Sequence, residues 1–188
     1  MGWRALSRPS ATVTNRLVLP VRIQAEGVRD SVLPPGESRS VRVPRSGTLL
    51  LRWDAVRPMV GALPVGEMLS GSAALGRGAR GSRLTIGALG AGFAWFAPLI
   101  TNTTDAPLRI VVNAGLASAF DCGCEVPPGA VRMPIGYYRL YRNSTVEARD
   151  RSGRAARFEN VATSVVTPGN SVGIRLNPGD LRPVGPPR

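Results

Sequence analysis

Val13-Thr14-Asn15, Pro20-Val21-Arg22-Ile23 and Pro34-Pro35-Gly36 return later in the chain as Ile100-Thr101-Asn102, Pro107-Leu108-Arg109-Ile110 and Pro127-Pro128-Gly129. The first two blocks return after 87 residues and the third after 93, so the second copy holds six extra residues before its Pro-Pro-Gly turn. Both cysteines fall in that interval, in Asp121-Cys122-Gly123-Cys124-Glu125. A unit written twice, with one copy elaborated, is the mark of a paired-module protein, and it singles out 116–126 as an insertion.

The text around these blocks has the period of strands. Leu17, Leu19, Val21, Ile23 and Ala25 alternate with Arg16, Arg22 and Gln24, which predicts a half-buried strand over 16–25 with Pro20 on its outer face. Val41 and Val43 flank Arg42, and Leu49, Leu51, Trp53 and Ala55 oppose Arg52 and Asp54. The second copy repeats the scheme. Leu108, Ile110 and Val112 oppose Arg109, Val146 and Ala148 alternate with Glu147 and Arg149, and Val172, Ile174 and Leu176 flank Arg175. Asp150-Arg151-Ser152-Gly153 reads as a hairpin turn. No helix is predicted.

The expected fold is all-β: two tandem immunoglobulin-like antiparallel β-sandwich modules related by internal duplication. The first module is 1–88, with a Gly/Ala/Ser-rich irregular segment at 58–82. The second is 89–177, with the cysteine insertion, and 178–188 is a Pro-rich extended tail that cannot pair in a sheet. The order of asparagine, apolar-Arg-apolar and Pro-Pro-Gly resembles small immunoglobulin-like or PEGA-type surface modules. The resemblance lies in turn chemistry that many β folds share, and no family is assigned on it.

Composition closes most enzyme templates. The 24 cationic side chains are all arginine, with no lysine and no histidine, a usage that fits a high-GC bacterial genome. Without histidine there is no Ser-His-Asp or Cys-His nucleophile and no imidazole metal ligand. Without lysine there is no Schiff base and no P-loop cation. The carboxylates are scattered, and no spacing among them marks an acid/base pair. Asn102-Thr103-Thr104 and Asn143-Ser144-Thr145 match a glycosylation acceptor but read as polar turns. The chain is expected to be non-catalytic and without cofactor.

The net charge of +12 divides as 13 Arg against 5 acids over 1–87 and 11 Arg against 7 acids over 88–188. Such a field favours polyanions, and guanidinium forks suit carboxylates, phosphates and protein interfaces. Arg22, Arg42, Arg52, Arg109, Arg139 and Arg175 sit on the polar side of strand patterns and are the candidate partner or anion contacts. Phe93, Trp95 and Phe96 form one aromatic group and Tyr137, Tyr138 and Tyr141 another, read as core residues on both strand faces.

Cys122-Gly123-Cys124 is expected as a protruding turn at a partner interface, with Phe120 as apolar anchor and Gly123 as the bend. Local hydrogen bonds or a Cys122–Cys124 disulfide would hold it, with no metal. The alternatives are a redox pair or a metal site, although four-ligand zinc sites use wider spacing.

Residues 59–76 and 84–100 fall short of a membrane span, and residues 1–9 lack a leader's apolar run. These features together predict an extrinsic scaffold subunit. Arginine-rich surfaces would dock it on a larger, membrane-associated bacterial complex, in the cytoplasm or on the cytoplasmic face, with anionic headgroups as further contacts. The competing reading is a basic nucleic-acid-binding β module.

Overall fold

A computed structural model describes residues 9–44, 47–60, 63–76, 82–88 and 94–184. In chain order the strands are β1 Ser10–Asn15, β2 Val21–Ala25, β3 Val28–Leu33, β4 Ser38–Arg42, β5 Leu49–Ala55, β6 Met59–Val60, β7 Leu63–Pro64, β8 Ser70–Leu75 and β9 Ser82–Ile86. They continue with β10 Trp95–Asn102, β11 Leu108–Val112, β12 Phe120–Val126, β13 Met133–Pro134, β14 Tyr138–Arg139, β15 Val146–Arg149, β16 Arg154–Phe158, β17 Ser171–Leu176 and β18 Arg182–Pro183. The helical elements among the described residues are short 3-10 turns at Val161–Ser164 and Pro178–Asp180. The protein is all-β with several antiparallel sheets.

The chain forms two compact units, Met1–Val56 with Leu69–Ala88, and Arg57–Met68 with Leu89–Arg188. Unit 1 holds a three-stranded sheet, β4-β1-β9, and a four-stranded one, β3-β2-β5-β8. In the first, β1 runs antiparallel to β4 and parallel to β9. Alternation turns Ala11, Val13, Val41 and Ile86 inward, while Val21, Ile23, Leu33 and Leu51 are the buried set of the second sheet. Hydrophobic burial of these rows is the main stabilising term.

In unit 2, β10 pairs antiparallel with β13 and β14 and parallel with β17. The second sheet runs β12-β11-β15-β16-β18. Phe96, Ile100 and Ile174 from one sheet share a core with Ile110, Val126 and Val146 from the other.

Two buried asparagines organise the ends of these sheets. The Asn15 amide donates to the carbonyls of Leu19 at 2.9 Å and Leu33 at 3.0 Å, and its oxygen accepts the Leu17 N–H at 2.9 Å. Asn102 donates to Ala106 at 2.9 Å and Val126 at 3.0 Å, and accepts from the Thr104 N–H at 3.0 Å. Gly36 N–H donates to the Asn15 carbonyl at 2.8 Å and Gly129 N–H to that of Asn102 at 2.9 Å. Both glycines have φ of 78°, which a side chain would strain.

Several sequence expectations are corrected. Residues 16–20 are not strand: they wrap around the Asn15 side chain, and regular pairing starts at Val21, just after Pro20. Proline has no N–H to give a ladder, so its place before the strand relieves the conflict. The segment 58–82 is not irregular throughout, since it contains β6, β7 and β8, and β8 pairs with β5 from Leu49↔Leu75 to Asp54↔Ser70. Small residues in β8 conceal its period, because alternating Ser, Gly and Ala give little hydrophobic contrast. The same segment is divided between the units, with Arg57–Met68 belonging to unit 2.

There Gly66 lies against Gly136, where an added Cβ would come 2.9 Å from the Gly136 Cα. The Glu67 N–H donates to the Tyr137 carbonyl at 2.9 Å. The tail also pairs, through Arg182 and Pro183 against β16. Proline is tolerated there because β18 is an edge strand. Phe93 and residues 1–8 and 185–188 lie outside the described residues.

Candidate functional site

The candidate arginines occupy outward sheet faces but do not converge. On the outer face of β3-β2-β5-β8, Arg22 lies opposite Asp54, with a guanidinium–carboxylate distance of 3.8 Å. Arg52 lies opposite Gln24, whose amide donates to Asp30 at 3.1 Å. Gln24, Asp30, Leu50 and Arg52 border a shallow cavity of about 330 Å³. Arg42 stands apart on the outer face of β4-β1-β9, opposite Ser10.

In unit 2, six of the described arginines are held by carboxylates. Arg109 on β11 grips Asp121 on β12 with two bonds, Nε at 3.0 Å and a terminal nitrogen at 2.5 Å. Those bonds hold the Asp121 carboxyl below its ordinary range, helped by the Gly123 N–H. Across the sheet Arg109 faces Arg149, a like-charge pairing that acids on both sides offset. Arg149 bonds Glu147, Arg157 lies 3.9 Å from Glu147 and 3.3 Å from Glu159, and Arg151 bonds Glu125 at 3.0 Å. Arg109, Asp121, Glu125, Arg149 and Arg151 border a cavity of about 350 Å³.

Arg154 closes the 150–153 turn on Asp150 at 2.7 Å. Burial pushes the Asp150 carboxyl up, but hydrogen bonds from the Ser152 hydroxyl and from the Arg154 backbone and side chain outweigh it. They bring the carboxyl down to about 2.

Arg139 extends over the Trp95 ring, 5.7 Å from its centroid, and reaches Glu67 at 3.5 Å. Arg175 on β17 lies beside Thr101, with a long bond of 3.4 Å to Asn177. Sequence reasoning did not select Arg83, Arg149, Arg151 and Arg157. Arg83 and Arg149 were legible in the Ser-Arg-Leu and Glu-Ala-Arg alternation, but the carboxylates that face Arg151 and Arg157 come from pairing across strands.

The cysteines do not form a protruding turn. Cys122 and Cys124 are joined by a disulfide within β12, and both sulfurs turn toward the core, with Cys124 buried. Phe120, on the same side, packs its ring 5.5 Å from that of Tyr138. Alternation explains this placement, because residues 120, 122 and 124 share the face opposite Ile110.

Gly123, with φ of 59°, marks a register shift between Arg109 and Val111. Of the six extra residues, five lengthen the connection, 113–119 against 26–27, and one lengthens the strand. With the sulfurs bonded to one another, neither is a free thiolate for a metal.

The fold and its surface define an all-β chain whose sheets carry arginine on their outer faces, part of it paired with carboxylates of neighbouring strands and turns. No protein-family model matches it, and no curated protein matches it. Among solved structures it is similar to a mutant of the shaft pilin spaA from Lactobacillus rhamnosus GG, at 9% identity over 94% of this chain and 98% of that one, with a TM-score of 0.27. A likeness of that size says nothing about function.

Proposed function

We propose that the protein is a non-catalytic scaffold subunit, built from two immunoglobulin-like β-sandwich modules related by internal duplication. Its arginine-bearing faces dock on a larger, membrane-associated complex. The matched bonds of Asn15 and Asn102 support the duplication, since each partner recurs at the offset of its sequence block, 87 or 93 residues on. So does the sheet order, in which β4-β1-β9 and β3-β2-β5-β8 correspond to β13-β10-β17 and β12-β11-β15-β16.

The observation that carries the docking reading is the exposure of arginine on the outer faces of both units, in excess over acids. Guanidinium groups that keep free donors recognise carboxylates and phosphates. The Cys122–Cys124 disulfide supports docking on a side bathed by an oxidising medium, because such bonds persist there; the cytoplasmic face is the competing placement.

Co-purification from detergent-solubilised membranes, run against a nucleic-acid pulldown, tests the proposal. Recovery with membrane proteins is the expected result. Recovery with nucleic acid alone, lost as salt rises, would replace it with the nucleic-acid reading.

A further inference from the structure

The two units have the same number of arginines but differ in what those arginines face. Unit 1 carries 12 Arg against 4 acids, and unit 2 carries 12 against 8. Among the described residues, six arginines of unit 2 are tied to carboxylates, at Asp121, Glu125, Glu147, Asp150, Glu67 and Glu159, while Arg57, Arg132, Arg142, Arg175 and Arg182 have no carboxylate partner. In unit 1 the described ion pair is Arg22–Asp54, on the four-stranded sheet.

The outer face of β4-β1-β9 is different. It presents Arg42 from β4 and Arg83 from β9, both exposed. Register places Ser10, Thr12 and Thr14 from β1, Ser38 and Ser40 from β4, and Thr85 from β9 on the same side. No carboxylate points outward among these positions. Arg42 lies opposite Ser10 and Arg83 opposite Thr12, so their Cα atoms stand about 12 Å apart, two strands over and two residues along.

We infer that this face of unit 1 is the docking surface, and that its occupant is an extended acidic segment of a partner protein. The inference rests on the docking reading above and gives it a place and a chemistry. Two unpaired guanidinium forks in a field of hydroxyls offer donors to successive carboxylates, with no acid to compete. Among the described residues, the face carries no aromatic ring on which a base could stack. It also carries none of the large exposed apolar residues, since Val32 and Leu50 lie on the other sheet and Met59, Met68, Val131, Val166 and Val184 in unit 2. Stacking on nucleic acid and insertion into a bilayer are therefore both poorly served.

The test measures binding of a fluorescein-labelled oligoglutamate peptide to the full chain by anisotropy, with sodium chloride varied. Single-stranded DNA and phosphatidylcholine–phosphatidylserine vesicles serve as parallel probes. The wild type is expected to bind the peptide, and the double variant Arg42→Thr, Arg83→Thr to weaken it roughly tenfold. The double variant Arg151→Thr, Arg182→Thr removes the same charge elsewhere and should change binding less than about twofold.

Threonine suits an exposed strand, and unchanged circular dichroism will show that both variants fold. Equal weakening in both doubles would overturn the assignment of this face while leaving arginine docking in place. Binding to vesicles or DNA without binding to the peptide would overturn the partner class. If none of the three probes binds, this inference and the docking reading both fall.

Discussion

Asn15 and Asn102, 87 residues apart, hold their chains with the same set of bonds. Each donates its amide to the carbonyl four residues on and to the carbonyl just before a Pro-Pro-Gly turn. Both side chains are fully buried. A buried amide whose donors and acceptor are all engaged fixes the loop after one strand to the end of another. That job explains why an asparagine sits where the strand pattern would accept any polar residue.

Replacing either asparagine by alanine removes two bonds to main-chain carbonyls, those of Leu19 and Leu33 or those of Ala106 and Val126. Asn15→Ala and Asn102→Ala should each cost about 2–3 kcal/mol in urea unfolding. A loss below about 0.5 kcal/mol, the level of an ordinary surface substitution, would show that the bonds are incidental.

Asp150 sets an acid limit on unit 2. Its folded-state value of about 2 lies below the ordinary 3.8, so the bonds from Ser152 and Arg154 stabilise the fold above that ordinary value. Their contribution is lost as the pH falls from 3.8 toward 2. The urea midpoint should therefore drop across that interval. Asp150→Asn should lower the midpoint at neutral pH and flatten the acid dependence. An unchanged acid slope in the variant would place the limiting group elsewhere.

Reduction of Cys122–Cys124 should weaken unit 2 without unfolding it. The bond closes a very short loop, so its chain-entropy effect is about 1–2 kcal/mol. Intact mass before and after alkylation reports the bond, and urea midpoints with and without dithiothreitol report its effect. Global unfolding on reduction would mean that the core around Cys124 depends on the bond far more than that model allows.

Gly136 makes the fourth case. With φ of 105° and the Val65 carbonyl 2.8 Å from where a Cβ would stand, it admits no side chain. Gly136→Ala should cost about 2–3 kcal/mol through backbone strain and the forced separation of 64–67 from 136–137. It should also expose Arg57–Met68 to limited proteolysis. Unchanged protease resistance would show that other contacts hold the segment.

The sequence by itself determined the all-β class, the strand rows of strong hydrophobic contrast and the outward aspect of the arginines. Each of these follows from a local period of two, which burial on one face enforces. Tertiary structure alone decided which charges meet. Arg109–Asp121 and Arg151–Glu125 are pairings across strands, set by register and not by spacing along the chain. It likewise decided which face of β12 turns inward: the pairing of Leu108 with Val126 and of Val112 with Phe120 carries the whole alternating row, Cys122 and Cys124 included, to the core side. The assignment of Arg57–Met68 to unit 2 rests on glycine backbones approaching within van der Waals contact. A residue with no side chain leaves no mark in a hydrophobic pattern, so that contact could be read only from the folded chain.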